Sequence, residues 1–238
     1  MRRKSLLFLT VLAFSIAALS AQAQTSIPVM STQVILGVKG GLNLGNASLS
    51  PDLPSGYSKS NRNGIVAGGY AELGIAEGLY ITGEVLYAQM GLKASVPVSL
   101  LGAPVSGTAE GTQKSDYIHV PVSLKYKFAI PESNVRPYVF GGPSISFNVS
   151  SKMVTEYTGQ VVQLVGQTST EEDAKDSTNS VDVAAHVGAG IEFEVSSNVL
   201  LFVDGRYSLS LTNASKAASQ EIKARNIMIM GGVGFKLP

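Results

Sequence analysis

Hydrophobic and polar residues alternate along much of the chain, and the alternation is strict in residues 116–128. One face of this segment carries Ile118, Val120, Val122, Leu124, Tyr126 and Phe128, and the other carries Tyr117, His119, Pro121, Ser123, Lys125 and Lys127. Successive side chains of a β-strand point to opposite faces, whereas a helix would mix these two sets. Residues 181–195 and 199–212 repeat the pattern. The alternation therefore predicts three strands, each with one apolar face.

Five further segments show the same period of two, less cleanly. They are residues 34–44, 64–74, 79–92, 136–149 and 225–237. Leu86 interrupts the alternation in residues 79–92, and residues 136–149 alternate only in their second half. Together these segments predict an all-β chain of eight strands.

The connections between the predicted strands alternate between long and short. The long ones are residues 45–63, 93–115, 150–180 and 213–224, and the short ones are 75–78, 129–135 and 196–198. Outer-membrane barrels have this asymmetry, with tight turns on the periplasmic side and longer loops outside. The pattern favours an eight-stranded antiparallel up-and-down transmembrane barrel.

The N-terminal residues have the order typical of a secretory signal peptide. Arg2, Arg3 and Lys4 precede an apolar run from Leu6 to Leu19, and Ala21-Gln22-Ala23 follows. We predict a signal peptide over residues 1–23, cleaved between Ala23 and Gln24, then a short periplasmic segment, 24–33, and a barrel domain, 34–238. A retained anchor is the alternative, but a spanning helix needs about 20 apolar residues.

Composition removes several classes of function. Cleavage would change the formal charge from +1 to −2, with 15 basic against 17 acidic residues, which gives no reason to expect a nucleic-acid partner. The chain has no cysteine and therefore no disulfide or thiolate metal site. Charged residues make up 15% of the chain, below the roughly 25% of soluble domains.

Alternation alone does not say which face points outward, because a soluble lipocalin-like barrel also alternates. Small polar residues dominate the second face, as suits a narrow interior. Aromatic residues also fall near both ends of the strands, as in interfacial girdles. These are Phe128, Phe193 and Phe235 near the short turns, and Tyr87, Phe147 and Tyr207 towards the long loops. The membrane orientation is favoured.

The charged residues of the second face must then point into the barrel. A Lys or Arg facing lipid at mid-depth costs roughly 2–4 kcal/mol, so turning the strands over would cost on the order of 10 kcal/mol. We expect the inward acids, including Glu194, to pair with the inward cations, including Lys127 and Lys236, as a structural plug without an open pore. The predicted interior polar network is Lys39, Glu72, Glu84, His119, Lys125, Asp182, His186, Glu192, Asp204 and Arg206.

The two histidines allow an enzyme hypothesis. His119 and Ser123 share the inward face of one strand, and Asp182 and His186 share that of another. A Ser–His–Asp set activates a hydroxyl in acyl transfer, and some small outer-membrane barrels modify lipids. A packed polar interior, in which the histidines complete hydrogen bonds, explains the same residues.

Two other motifs favour structural explanations. Gly188-Ala189-Gly190 and Gly231-Gly232 resemble phosphate cradles, but no helix follows either, so we expect glycines that make room inside a narrow barrel. The acidic residues Glu171-Glu172-Asp173 and Asp176 lack the ligand spacing of a calcium loop, so we expect a solvated loop.

With the strands placed, the chain resembles the PorT-type outer-membrane β-barrel family of Bacteroidetes and their relatives. The motifs that carry the likeness are Gly37-Val38-Lys39-Gly40-Gly41-Leu42-Asn43, Gly83-Glu84-Val85-Leu86-Tyr87, Asp116-Tyr117-Ile118-His119-Val120-Pro121, Leu124-Lys125-Tyr126-Lys127-Phe128, Arg136-Pro137-Tyr138-Val139-Phe140-Gly141-Gly142-Pro143, Gly188-Ala189-Gly190-Ile191-Glu192-Phe193 and Gly232-Val233-Gly234-Phe235. The chain departs from the family by ending in Phe235-Lys236-Leu237-Pro238, without a terminal aromatic. The resemblance implies an eight-stranded barrel with no established catalytic residues.

These observations favour a non-enzymatic outer-membrane barrel that serves envelope structure and interaction through its extracellular loops. Residues 150–180 are the best candidate surface, because long loops on a rigid scaffold often bind partners. The expected partners are outer-membrane lipid, a protein at the loops and the outer-membrane assembly machinery, and no cofactor is expected. A soluble periplasmic ligand carrier and a lipid-modifying enzyme are the alternatives.

Overall fold

The computed structural model describes residues 33–50, 56–97, 106–214 and 221–238. The predicted signal peptide, its cleavage point after Ala23 and the segment 24–32 lie outside the described residues. Among those described, no helix is long and apolar enough to cross a membrane.

The described residues form nine strands and one short helix, and their bounds follow in chain order. They are β1 (Val34–Ser50), β2 (Ser58–Ala76), β3 (Leu79–Pro97), β4 (Gly107–Lys127), β5 (Val135–Gly159), α1 (Val161–Val165), β6 (Ser169–Asp173), β7 (Val181–Ser196), β8 (Val199–Ser210) and β9 (Glu221–Lys236).

Eight of these strands close into a ring. Each pairs antiparallel with both neighbours, in the order β1, β2, β3, β4, β5, β7, β8 and β9, and β9 pairs back onto β1. The short strand β6 pairs only with the far end of β5 within the described part of the chain. The predicted eight-stranded up-and-down barrel is confirmed.

The strands run much further on one side than the sequence predicts. On the turn side, where Glu77-Gly78 joins β2 to β3 and Ser197-Asn198 is the core of another turn, the predicted limits agree with the structure. On the loop side, most of the predicted loops 45–63 and 93–115 is strand instead, and β3 and β4 remain paired as far as Pro97 and Thr108. Both faces of these ends are polar, so they lack the alternation that marks a strand in lipid.

Apolar side chains cover the outer wall of the ring. Large exposed hydrophobic residues occur on every strand of the ring, among them Leu36, Leu42, Ile65, Leu73, Ile81, Val85, Val122, Leu124, Val139, Ile145, Val187, Ile191, Leu201, Val203, Ile227 and Ile229. Phe128, Phe193 and Phe235 are exposed near the turn side, and Phe147 and Tyr207 are exposed further towards the loop side. This surface suits hydrocarbon, because a monomer in water rarely exposes so large an apolar area.

Glycines on the inner wall make room for the aromatic rings of neighbouring strands. A Cβ at Gly188 would overlap the Phe140 ring, and one at Gly232 would lie 2.6 Å from Cζ of Phe202. The expectation for these glycines agrees with the structure. A ring that lies over the backbone of the next strand fills a lumen too narrow for two side chains at the same level.

We expect Gly188→Ala to destabilise the barrel by about 1–3 kcal/mol, because the new methyl group must displace the Phe140 ring and approaches the Gly205 carbonyl. Gly205→Ala is the matched control, since nothing lies within 4 Å of a Cβ there. It should be neutral or stabilise the fold by up to about 1 kcal/mol. Urea unfolding of both variants in lipid vesicles measures the difference, and equal free energies of unfolding would contradict the packing argument.

Candidate functional site

All ten residues of the predicted interior network lie inside the barrel wall. None is more than 9% exposed, and Arg206, His119 and Glu72 are at most 2% exposed. This placement follows from the alternation along each strand, because each of these residues is next in sequence to an apolar residue that points outward.

Four of the interior charges form what we call the first ionic chain, which consists of Glu192, Lys127, Glu72 and Lys125. Lys127 Nζ lies 2.6 Å from Glu192 Oε2 and 2.8 Å from Glu72 Oε2, and Lys125 Nζ contacts Glu72 Oε1. The chain thus joins β7, β4 and β2, and its two cations balance its two carboxylates.

The second ionic chain consists of Asp204, Lys39, Glu84 and Arg206. Lys39 Nζ lies 3.1 Å from Asp204 Oδ2 and 3.4 Å from Glu84 Oε1, and Arg206 Nη2 donates to Glu84 Oε1 at 2.6 Å. Glu84 is on β3 and Arg206 on β8, which are four steps apart in either direction around the ring. This ion pair therefore crosses the lumen from one wall to the opposite wall.

Aromatic rings fill the space around both ionic chains. Lys125 Nζ lies 4.3 Å from the centroid of the Tyr138 ring, and Lys127 Nζ lies 4.3 Å from that of Tyr80. The Arg206 guanidinium lies 5.1 Å from the Phe140 centroid. A cation over an aromatic face is stabilised by the ring quadrupole, most strongly where water is excluded. The sequence pattern missed Tyr138 and Phe140, because Pro137 and Gly141-Gly142 interrupt the alternation.

Asp182 does not join either ionic chain, and the expectation that it pairs with a cation is wrong. Its Oδ1 accepts hydrogen bonds from the hydroxyls of Ser210 and Thr212, the second at 2.7 Å. These residues lie at the loop-side end of the barrel, where β8 ends. Two hydroxyl donors stabilise a carboxylate without a partner cation.

Glu194 lies at the turn side and has two partners. Lys236 Nζ is 2.6 Å from Glu194 Oε1, and Arg136 Nη2 is 2.8 Å from Oε2. The sequence placed Glu194 among the inward acids and Lys236 among the inward cations without pairing these two residues. Sequence reasoning did not select Arg136. It lies on β5 opposite Glu192 of β7 in the sheet register, a relation that follows only from strand order.

The structure brings Ser123 and His186 together but leaves Asp182 elsewhere. Ser123 Oγ and His186 Nε2 lie 2.7 Å apart, and they meet across Gly142 of the intervening strand β5. His119 Nδ1 lies 2.8 Å from Ser146 Oγ instead. Because Asp182 bonds Ser210 and Thr212, the predicted Ser–His–Asp combination does not form among these residues.

The described residues contain no group of three or more His, Cys, Asp or Glu side chains that could hold a metal ion. The acidic residues Glu171-Glu172-Asp173 were expected in a loop, and that expectation is wrong: they form most of β6. Lys152 donates to Glu171 at 2.6 Å, and this bond holds the pKa of the Glu171 carboxyl below its ordinary value.

Beyond the ring, neighbouring strands continue as a polar sheet on the loop side. We call this the sheet extension, made of residues 92–97, 107–116, 150–159 and 169–173 with the helix α1. Val96, Val154 and Val161 are buried within it. Leu164 of α1 is 62% exposed at the far end. The extension is thus a folded surface, not a flexible loop.

Comparison with known proteins identifies the family. The family described as "Outer membrane protein beta-barrel domain" matches residues 21–216. The sequence matches none of the curated proteins.

Several solved structures are similar at low identity. The chain is 16% identical to Neisserial surface protein A, with 86% of this chain and 97% of that chain covered and a TM-score of 0.44. It is 11% identical to the outer membrane protein OprG from Pseudomonas aeruginosa, with coverage of 87% and 96% and a TM-score of 0.43. For Ail, the attachment invasion locus protein of Yersinia pestis, solved with the heparin analogue sucrose octasulfate, the identity is 13%, the coverage 87% and 100%, and the TM-score 0.34.

The family match covers most of the chain and agrees with the closed ring and its apolar outer wall. A soluble lipocalin-like carrier would bury its apolar face inside, and here that face points outward, so this alternative is wrong. The chain belongs to the outer membrane protein β-barrel family and is a protein of the bacterial outer membrane.

Proposed function

We propose that this protein is a closed, non-enzymatic barrel that serves envelope structure and binds another protein through its sheet extension. The main support for a closed lumen is the Arg206–Glu84 ion pair, because its partners come from opposite walls and both side chains are at most 3% exposed. We infer that a lumen bridged in this way blocks the passage of ions and solutes.

The charge balance of the interior supports a plug over a channel. Each ionic chain carries two cations and two carboxylates, so neither presents a net charge that would attract ions. A channel lining needs ligands that remain available to water, whereas these side chains are bound to one another. Removing one member would leave its partner buried and uncompensated.

The sheet extension supports the interaction role. Because tight turns lie on the periplasmic side of outer-membrane barrels, we infer that the extension faces the outside of the cell. Its edge strand β6 has no strand partner on its second side among the described residues, and its charged residues Glu171, Glu172 and Asp173 are exposed. Folded, exposed surfaces on a rigid scaffold commonly bind partners.

We further infer membership of the PorT-type group within the family, which the order of the strand motifs supports. Outer-membrane lipid surrounds the apolar wall, and the outer-membrane assembly machinery is the expected partner during biogenesis.

The Ser123–His186 pair does not favour an enzyme. Both side chains are at most 5% exposed, and the Gly142 backbone lies between their strands. Among the described residues, no carboxylate orients the His186 ring, since its Nδ1 has no hydrogen-bond partner there and Asp182 bonds Ser210 and Thr212.

Purified protein in a planar bilayer should show no steady, large single-channel conductance, because the lumen is bridged. Arg206→Ala should lower the free energy of unfolding by about 3–5 kcal/mol and produce small intermittent conductance, since Glu84 loses a buried partner. Arg136→Ala is the matched control: its ion pair is partly exposed, so the loss should stay below about 1 kcal/mol. Steady large openings of the unmodified protein would refute the plug.

Replacing residues 153–172 with Asn-Gly should abolish partner capture from intact cells while the barrel still folds. Lys152 and Asp173 are partners in the sheet, so a two-residue turn joins them directly. The control replaces residues 96–109 with Asn-Gly between the partners Ser95 and Glu110, which leaves β6 in place and should retain capture. Capture by cross-linking and mass spectrometry compares the three proteins. Equal capture by all three would contradict the role of α1 and β6.

Hydrolysis of a short-chain nitrophenyl ester by the purified protein should equal the uncatalysed background. Ser123→Ala should leave that rate unchanged, because the serine lies inside a closed wall. Ser146→Ala, at the other histidine, serves as the comparison. A rate above background that only the Ser123 variant loses would establish an enzyme instead.

A further inference from the structure

The charges of the interior network do not sum to zero. The two ionic chains together hold four cations and four carboxylates, so each chain is neutral. Asp182 is a fifth carboxylate, is only 9% exposed and belongs to neither chain. The network is therefore one positive charge short, and the charge is missing at Asp182.

The contacts of Asp182 satisfy one of its oxygens without neutralising its charge. Oδ1 accepts hydrogen bonds from the hydroxyls of Ser210 and Thr212, which are neutral donors. No cation among the described residues acts on this carboxylate. A buried charge without a partner of opposite sign is costly, and a bound cation would remove that cost.

Two cations of β2 lie near the loop-side end of the barrel but have other partners. Lys59 Nζ donates to the Ala47 carbonyl at 2.7 Å, and Arg62 donates to the Met90 carbonyl. The carboxylate that acts on Arg62 is that of Asp116. Neither cation supplies the missing charge.

A cavity of about 40 Å³ adjoins Asp182. Its lining residues come from β1, β3, β4, β7 and β9, and β4 and β9 are four steps apart around the ring, so the cavity lies across the lumen. Since one water needs roughly 10–15 Å³, the cavity has room for about three groups of that size. The ionic chains close the lumen on the turn side, so a ligand enters from the loop side.

The lining of the cavity favours an organic cation over a metal ion. Most of the lining side chains are apolar, and they are Ala47, Met90, Leu92, Ala214, Ile222 and Ala224. The polar ones besides Asp182 are uncharged, and the Ser115 hydroxyl is already bonded to that of Ser151 at 2.9 Å. Hard metal cations take about six or more oxygen ligands, which this wall does not supply. An alkylammonium ion needs one charged contact and apolar surroundings.

We propose that this cavity binds a small primary amine in its protonated form, with the ammonium group on Asp182 and the alkyl group against Met90 and Leu92. Both hydroxyls bond Oδ1, so Oδ2 is the acceptor that we assign to the ammonium group, which is a hydrogen-bond donor only. The bound cation makes the interior network neutral. This site is additional to the proposed function, because the barrel stays closed beneath it.

The test uses ¹³C-methyl methionine NMR of the protein in phosphatidylcholine nanodiscs, with methylammonium chloride replacing sodium chloride at constant ionic strength. The Met90 methyl resonance should shift and saturate. Methanol has the same number of heavy atoms without the charge, so it should bind at least about tenfold more weakly. Absence of a saturable shift with methylammonium, or equal binding of methanol, would overturn the site. An equal saturable shift with potassium chloride would overturn the assignment to an amine.

Variants test the role of the carboxylate. Asp182→Asn keeps an oxygen acceptor for the two hydroxyls but removes the charge, so it should weaken methylammonium binding at least about tenfold. Ala47→Leu keeps the carboxylate but fills the cavity, and it should weaken binding as strongly. Glu172→Gln is the matched control, because this carboxylate is exposed on the sheet extension and its loss should change the affinity less than about twofold. Unchanged affinity in Asp182→Asn, or an equal loss in Glu172→Gln, would overturn the proposal.

Discussion

The structure depends on one constraint, that backbone N–H and C=O groups in hydrocarbon must be bonded within the protein. Strands meet it only when the sheet closes on itself. Closure with eight strands produces a lumen about as wide as the side chains that fill it. Since one face of each strand is committed to lipid at membrane depth, the charged residues of these segments face the lumen. The ionic chains are the consequence, because charges so confined must neutralise one another.

Side chains fill the narrow lumen in two different ways. Nearer the turn side, aromatic rings lie over glycines of neighbouring strands, and the two neutral ionic chains occupy the space between them. Nearer the loop side, an apolar cluster fills part of the lumen, and two of its members, Met228 and Met230, lie beside Arg206 and Asp204 in the sheet register. The ionic chains and the apolar cluster are therefore neighbours within the lumen.

The sequence predicts the strand segments that lie in lipid, because hydrocarbon on one face of a strand requires apolar residues at every second position. It did not predict the sheet extension, where water contacts both faces and Lys114 pairs with Lys152 in a ladder without alternation. It selected the interior charges but not their partners. That Glu84 meets Arg206 follows only from ring closure, and the role of Arg136 depends on the neighbour of β5 being β7. The positive φ of Gly91, +146°, leaves no periodic signal in the sequence.

The partners of the interior ion pairs are far apart in the sequence, and this affects the order in which the barrel is assembled. Lys39 and Asp204 are 165 residues apart, and Glu84 and Arg206 are 122 apart. An open sheet of the first five strands would hold Lys39, Glu84 and their neighbours with half of their counter-ions not yet in place. Such an intermediate would leave buried charges uncompensated in a bilayer, so we expect membrane insertion and the joining of β9 to β1 to occur together, late in biogenesis.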